Sequence, residues 1–166
     1  MEKEIFKGKF LRITTEEKNS AIYERAYRRN GVTVIVVTAN GCVRFIKEKL
    51  WHQPDKVVIK PVTGFVDDGE NVSICAQREL AEELGLVAKK WREISHHKSS
   101  GAINYDQYYF VASDLADCVA NPEETEQIVG FLDVPFADLP EKIFNEEFGN
   151  TGTAFVLLKF LETQAK

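Results

Sequence analysis

The most chemically informative part of this sequence is the segment 64–86, in which a turn-forming acidic loop precedes a helix rich in glutamate. On a helix with roughly 100° per residue, Glu79, Glu82 and Glu83 fall within a sector of about 100°. Carboxylates at this spacing repel one another, so we expect a compensating cation beside them. Mg²⁺ takes oxygen ligands in octahedral geometry and bridges to phosphate groups. The spacing therefore predicts a magnesium site for phosphate chemistry, with Mn²⁺ as the alternative ion.

The other interpretation of these glutamates is a solvated acidic helix face, which is the commonest role of adjacent glutamates. The spacing of the wider segment favours the metal site, since it reads G-x5-E-x7-R-E-L-x-E-E-x-G-L from Gly64 to Leu86. This pattern matches the Nudix box at every position, and the chain therefore resembles the Nudix hydrolases. Members of that family cleave a nucleoside diphosphate linked to another moiety, so the resemblance implies a pyrophosphohydrolase.

The resemblance assigns metal ligands by motif position. It implies that Glu79 and Glu83 are the principal Mg²⁺ ligands and that Glu82 is a direct or water-mediated third ligand. The backbone carbonyl of Thr63, just before the box glycine, is the implied ligand that is not a carboxylate.

Four other box residues have implied supporting roles. Gly64 would let the backbone approach the metal closely, because it lacks a Cβ atom. Arg78 and Glu70 would hold the loop on the helix, and Arg78 would orient the catalytic Glu79. Gly85 is expected to cap the C-terminal end of the helix.

The general base of many relatives lies outside the box, on a loop before the last strand. The acidic cluster Glu123, Glu124 and Glu126 in NPEETEQIVGF occupies that place here. We predict Glu126 as the base because it immediately precedes the hydrophobic strand, from which a carboxylate need only reach the attacking water. The sequence leaves open which of the three acts, and a solvated acidic loop is the other interpretation.

Outside the box, the chain resembles the ADP-ribose and nucleoside diphosphate sugar pyrophosphatases through IFKGKFLRI, YERAYRRNGVTVIVV and the EETE loop, in that order. The resemblance implies cleavage into a nucleoside monophosphate and a sugar phosphate. Seven residues are candidates for contacts with the base, phosphates or sugar: Tyr27, Arg28, Arg29, Arg44, His97, Lys98 and Ser100. Ser100 stands where many ADP-ribose enzymes have proline, so the sequence leaves the base and sugar open.

Two further functions are consistent with the intact box. The first is hydrolysis of nucleoside triphosphates or dinucleoside polyphosphates. The second is a non-catalytic Nudix-fold module that senses such nucleotides, although that role usually tolerates loss of box glutamates, and all are present here.

The composition predicts one globular domain over residues 1–166, with a net charge of −5 that argues against nucleic acid as a partner. The charged N-terminus and the lack of any apolar run of about 18 residues argue against a signal peptide and a membrane span. Three widely spaced cysteines favour a reducing cytoplasm over a disulfide framework. The resemblance further implies a homodimer built by residues 1–30.

Hydrophobic periodicity predicts the elements that position these residues. The expected helices are 71–84 and 151–162. The expected strands are 5–13, 21–28, 31–39, 42–48, 57–62, 89–96, 105–112 and 127–133. Polar segments at 14–20 and 98–104 are expected to be a turn and a long loop. The order of these strands and helices along the chain predicts an α/β protein. The resemblance implies a Nudix-type α/β/α sandwich with a mixed sheet and an N-terminal β-hairpin.

Overall fold

The computed structural model describes residues 1–121, 127–148 and 150–164. Within those ranges the chain forms ten strands and three helices. The strands are β1 (Lys3–Lys7), β2 (Leu11–Lys18), β3 (Ala21–Arg28), β4 (Gly31–Val37), β5 (Cys42–Leu50), β6 (Gln53–Lys60), β7 (Val62–Phe65), β8 (Leu86–Ser100), β9 (Ile103–Asp117) and β10 (Gln127–Pro135). The helices are α1 (Val72–Leu84), α2 (Leu139–Phe144) and α3 (Thr151–Gln164).

The strands form one mixed sheet whose main order is β1-β2-β3-β9-β4-β5-β10, with β6, β7 and β8 pairing with β5, β4 and β9. Strand β9 lies parallel to β3 and β4 and antiparallel to β8. Strand β7 pairs antiparallel with β4 and leads into the acidic loop. The box therefore begins directly beside the centre of the sheet.

The two faces of β4 explain the layers of the fold. Val32, Val34 and Val36 point to one face and pack in a core cluster with the apolar side of α1. Ile35 points to the other face and packs in a second cluster with α2 and α3. A strand covered on both faces has a nearly continuous apolar sequence, and β4 is buried almost throughout, with Thr33 as its one polar side chain. This arrangement confirms the predicted α/β/α sandwich.

Helix α1 has both of its ends fixed by caps. The Asn71 side chain accepts a hydrogen bond from the backbone N–H of Ser73 at 2.9 Å. Gly85 adopts the left-handed conformation with φ of 63°, and its N–H donates to the carbonyl of Ala81. The predicted helix and its glycine cap are therefore confirmed, and the caps set the orientation of the box glutamates.

The N-terminal region differs from the predicted hairpin. Residues 5–13 are not one strand, because the chain breaks around Gly8 into β1 and β2. The predicted turn at 14–20 is largely strand, since β2 continues to Lys18 and Thr14 is buried. The reversal is a tight turn at Asn19 and Ser20, which have φ of 54° and 62°. Two consecutive left-handed residues suit a two-residue hairpin, and the three strands form a meander.

The expected loop at 98–104 is also wrong, because β8 and β9 continue as a paired ladder to Ser100 and Asn104. Polar side chains stabilise the short reversal: Ser99 Oγ donates to the carbonyl of Ile103 at 2.6 Å, and Asn104 Nδ2 donates to the carbonyl of Gly101 at 3.0 Å. Sequence reasoning took these polar residues as loop formers, whereas they close a hairpin.

Candidate active site

A cleft of about 1310 Å³ lies between the box, β3, the hairpin of β8 and β9, and the start of α3. This volume is ample for a nucleotide with an attached sugar. Although the whole chain has a net charge of −5, the described lining of the cleft has five Lys and Arg side chains and two acidic ones. These are Lys9, Arg28, Arg29, Lys60 and Arg78, with Asp67 and Glu79. The charged side chains that line the cleft are therefore mostly cationic, although Arg29, Lys60 and Arg78 are each paired with a carboxylate. Such a lining can attract an anionic ligand.

Arg78 is the centre of a hydrogen-bonded network on the box helix. Its guanidinium donates to both carboxylate oxygens of Glu70, at 3.0 and 3.1 Å. Its Nη1 atom donates to Glu79 at 2.8 Å and to Glu82 at 2.9 Å, and its Nη2 atom donates to the carbonyl of Phe65 at 3.2 Å. One arginine thus ties the loop, the strand end and two box glutamates together.

The network also changes the acidity of its members. Hydrogen bonds from Arg78 hold the pKa of Glu70 down at about 2, against the opposing effect of burial, with a further contribution from the N–H of Asp67. The same bonds to Glu70 raise the pKa of Arg78. Both groups are therefore charged at neutral pH, as the bidentate pair requires.

Glu83 is held by a second cation, Lys60. The Nζ atom of Lys60 lies 3.0 Å from Glu83 Oε1 and 2.8 Å from Glu48 Oε2. The backbone N–H of Thr63 donates to the other Glu83 oxygen at 3.2 Å. Burial by itself lowers the pKa of Lys60, but the charges of Glu83 and Glu48 and the hydrogen bonds to both more than reverse that effect and raise it. Lys60 is therefore a fixed positive charge between two carboxylates.

The box glutamates are more buried than the sequence suggests. Glu79 and Glu83 are only 7% and 2% exposed, so the carboxylate side of α1 is not a solvated face. Among the described residues, no three His, Cys, Asp or Glu side chains are grouped so that they could hold a metal ion together. Arg78 and Lys60 bind these carboxylates instead. A metal ion that used these carboxylates would therefore have to displace or share their ion pairs.

The residues nevertheless fit a hard divalent cation. The predicted donors are carboxylate oxygens of Glu79, Glu82 and Glu83, the ligand type that Mg²⁺ prefers. At Gly64, an added Cβ atom would overlap the carboxylate of Glu79. Any larger residue at position 64 would push Glu79 away, so the glycine provides space for this side chain as well as for the backbone.

Three of the predicted substrate contacts line the cleft: Arg28, Arg29 and His97. The Arg28 guanidinium lies 4.1 Å from the ring centre of Tyr105 and 5.5 Å from that of Phe65. Arg29 donates to the carbonyl of Val66 at 3.0 Å and pairs with Asp67. This end of the cleft combines cations with aromatic rings. The aromatic residues, together with Phe10, were missed from the sequence because they lie far apart along the chain.

The other four predicted contacts are not part of the described cleft lining. Arg44 is bound to Asp133 by two hydrogen bonds of 2.7 Å. The hydroxyl of Tyr27 donates to Glu2 at 2.8 Å. Lys98 and Ser100 lie near the end of β8 and do not line the cleft. Glu126, with Glu123 and Glu124, lies outside the residues that the structure describes.

Sequence reasoning also missed Lys60 and Glu48. Glu48 follows the buried Ile46 by two residues on β5, and Lys60 pairs with Ile46 across the sheet. Strand alternation therefore places both charges on the face covered by α1. This signal depends on the register of β5 and β6, which the sequence does not give.

Comparison with known proteins decides the family, because the profile of the NUDIX domain matches residues 27–150. The chain belongs to the NUDIX domain family. It is 25% identical over 162 residues to the ADP-ribose pyrophosphatase of Bacillus subtilis (strain 168). The matched region covers 93% of this chain and 86% of that relative. A solved structure described as an ADP compounds hydrolase has a TM-score of 0.79 at 20% identity, covering 98% of this chain and 90% of the other. That structure establishes similarity of fold.

Family membership confirms the prediction of a Nudix pyrophosphohydrolase that resembles the ADP-ribose pyrophosphatases. Several residues of the box line the cleft next to the cationic side chains, so the family motif forms part of the cleft wall. In the described part of the chain, no helix is both long and apolar enough to cross a membrane.

Proposed function

We propose that this Nudix enzyme hydrolyses the pyrophosphate bond of ADP-ribose or another nucleoside diphosphate sugar. The oxygen of water bonds to one phosphorus atom, and the bond from that phosphorus to the bridging oxygen breaks. The bridging oxygen leaves with the other phosphate, and the two hydrogens of water pass as protons to the product phosphates or to solvent. The products are a nucleoside monophosphate and a sugar phosphate. The observation that carries the proposal is the cationic cleft beside the buried box glutamates, in a chain whose overall charge is negative.

The proposed metal ligands are Glu79 and Glu83, with Glu82 as a direct or water-mediated third and the carbonyl of Thr63 as a fourth. Mg²⁺ or Mn²⁺ held there would neutralise charge on the phosphate oxygens and make the attacking water more acidic. Arg78 would keep Glu79 oriented, because it binds that carboxylate at 2.8 Å while anchored to Glu70. Supporting contacts of this kind fix ligand geometry.

Glu126 remains our proposed general base, with Glu123 and Glu124 of the same acidic cluster as the alternatives. Its task would be to accept the proton of the attacking water. Arg28, Arg29 and His97 are the proposed contacts to the substrate phosphates, and they are supported by their position in the cleft. The aromatic rings around Arg28 are of the type that stacks with a nucleobase.

We also propose that the single domain acts as a homodimer through its first 30 residues. Several large apolar side chains of β1, β2 and β3 are exposed, including Ile5, Phe6, Leu11, Ile22 and Tyr23. Exposed large apolar side chains can form an interface between two chains, and sedimentation analysis of the purified chain measures the assembly. A cytoplasmic location is the matching expectation for this enzyme, and fractionation of cells tests it.

A substrate panel tests the proposed reaction. ADP-ribose, several nucleotide sugars, a dinucleoside polyphosphate and the common triphosphates are assayed with Mg²⁺, Mn²⁺ or a chelator. We expect at least one diphosphate sugar to be cleaved about tenfold more efficiently than any triphosphate, with no turnover in chelator. Faster cleavage of a triphosphate than of every diphosphate sugar would overturn the substrate class. Nucleotide binding without turnover would indicate a sensing module.

A further inference from the structure

The cleft extends beyond the box to the N-terminal end of α3, where Asn150, Thr151 and Gly152 line it. Asn150 satisfies two of the helix's first amides: its side chain accepts from the N–H of Thr153 at 2.9 Å, and its carbonyl accepts from that of Ala154 at 3.0 Å. Among the described residues, the N–H groups of Thr151 and Gly152 have no acceptor. Two backbone donors are therefore available at the helix end that attracts anions.

Tyr109 provides a second and independent donor at the same place. Its side chain lines the cleft although the residue is only 7% exposed. Within the described parts of the chain, its hydroxyl makes no hydrogen bond, and a Cβ atom added to Gly152 would lie 2.8 Å from that oxygen. Burial raises the pKa of Tyr109, with a further rise from Tyr105 and an opposing effect of Arg28. The hydroxyl therefore keeps its proton at neutral pH and can donate it.

The alternation of β9 connects this end to the cationic end of the cleft. Gln107 lies two residues before Tyr109 and so points to the same face of the sheet. It accepts a hydrogen bond from Arg28 at 3.1 Å and donates one to Thr33 at 3.1 Å. Thr33 is the strand neighbour of Tyr109, so these polar side chains lie between the arginine and the tyrosine.

We propose that the Thr151 and Gly152 amides and the Tyr109 hydroxyl form a subsite for the phosphoryl group that leaves with the sugar. This inference rests on the proposed function, because it divides the products between the two ends of the cleft. Helix N-termini bind phosphate through free amides and the helix dipole. The first turn of α3 has no acidic residue that would oppose such a ligand. The nucleotide then occupies the end with Arg28 and the aromatic rings.

Two substitutions test the subsite, and one matched substitution controls for them. Gly152→Ala places a methyl group against the Tyr109 hydroxyl, although alanine is the better helix former. Tyr109→Phe removes the donor but keeps the buried ring. Tyr108→Phe removes the neighbouring hydroxyl on the opposite face of β9 and is the control. Thermal unfolding of all three verifies that they fold.

The measurement is inhibition of the hydrolase by its two product classes, ribose 5-phosphate and AMP. We expect Gly152→Ala and Tyr109→Phe each to raise the inhibition constant of ribose 5-phosphate at least about fivefold, while that of AMP changes less than twofold and Tyr108→Phe matches the parent. An unchanged constant for ribose 5-phosphate in both variants, with an active parent enzyme, overturns the subsite. An equal rise in the inhibition constants of ribose 5-phosphate and AMP also overturns it, because the substitution then affects binding at both ends of the cleft.

Calorimetric titration with inorganic phosphate separates this inference from the proposed function. If the parent enzyme cleaves no diphosphate sugar, the proposed function fails, and the titration still tests the subsite. Weaker phosphate binding by Gly152→Ala than by Tyr108→Phe supports a phosphoryl site at α3, whereas equal binding overturns it.

Discussion

Lys60 and Glu83 form an ion pair of 3.0 Å in which the glutamate side chain is completely shielded from solvent. Lys60 also binds the nearly buried Glu48, so one cation separates two carboxylates inside the protein. Glu83 is a proposed metal ligand, and its position therefore depends on a lysine outside the Nudix box. The ion pair keeps the carboxylate in place when no metal is bound.

Lys60→Met is expected to destabilise the fold and to alter metal activation. Loss of the lysine leaves Glu48 and Glu83 buried without their common partner, which costs roughly 3 kcal/mol in the free energy of unfolding. Urea unfolding measures this loss. The double variant Lys60→Met with Glu48→Gln should recover part of it, because one of the two carboxylate charges that Lys60 balanced is then gone.

The control for this pair is Lys56→Met, which removes an exposed lysine from the same strand. It should leave stability within about 0.5 kcal/mol of the parent. Equal stability of Lys60→Met and Lys56→Met would show that the ion pair does not hold Glu83.

Glu83→Gln should lower the catalytic constant by at least about 10²-fold, because it removes the charge of a proposed metal ligand. On a solvated helix face, this substitution would be expected to cost little stability. The structure changes that expectation: Glu83 is 2% exposed and bound to Lys60, so we expect a loss of about 1–3 kcal/mol as well.

Kinetics over a range of Mg²⁺ concentrations, with unfolding of the same samples, separate the two effects of Glu83→Gln. The exposed Glu17→Gln is the control and should change neither quantity. Near-parental activity of Glu83→Gln at saturating Mg²⁺ would eliminate Glu83 as a ligand.

Glu126→Gln should lower the catalytic constant by roughly 10²- to 10⁴-fold while metal affinity stays nearly unchanged, as expected of a general base that is not a ligand. Steady-state kinetics and calorimetric Mg²⁺ titration provide the two quantities. Glu123→Gln and Glu124→Gln are the natural controls, since these residues belong to the same acidic cluster of the sequence. If either of them shows the large loss and Glu126→Gln does not, the base is the other residue.

The box helix could be predicted from the sequence because its determinants are local. Asn71 and Gly85 cap the helix, and the spacing of Glu79 and Glu83 places both on one side. The burial of that side could not be predicted, because it depends on the contact of Glu83 with Lys60, which lies on β6. The expected loop at 98–104 was wrong for a related reason.

Polar residues are compatible with both a loop and a hairpin, and only pairing with the opposite strand decides between them. At that reversal, Ser99 and Asn104 bond across the turn. The proposed subsite at α3 could not be predicted from the sequence either, because Tyr109 and Gly152 are far apart along the chain and come together only in the fold.

The ion pair of Glu70 with Arg78 is expected to make the stability of the protein depend on pH in the acid range. The pKa of Glu70 is about 2 in the folded chain, below its ordinary value of 4.5. Folding therefore favours the ionised carboxylate, and its contribution is fully present above pH 4.5 and is lost as the pH falls towards 2. Glu70→Gln removes this contribution, which is on the order of 2 kcal/mol at neutral pH for hydrogen bonds to a charged group.

Urea unfolding of the parent and Glu70→Gln between pH 2 and pH 7 measures the difference. We expect a constant gap above about pH 5 that narrows steadily below pH 4.5. Glu17→Gln serves again as the exposed control and should follow the parent curve. A gap that stays the same down to pH 2 would mean that the loop is held by packing around Arg78 rather than by the charge of Glu70.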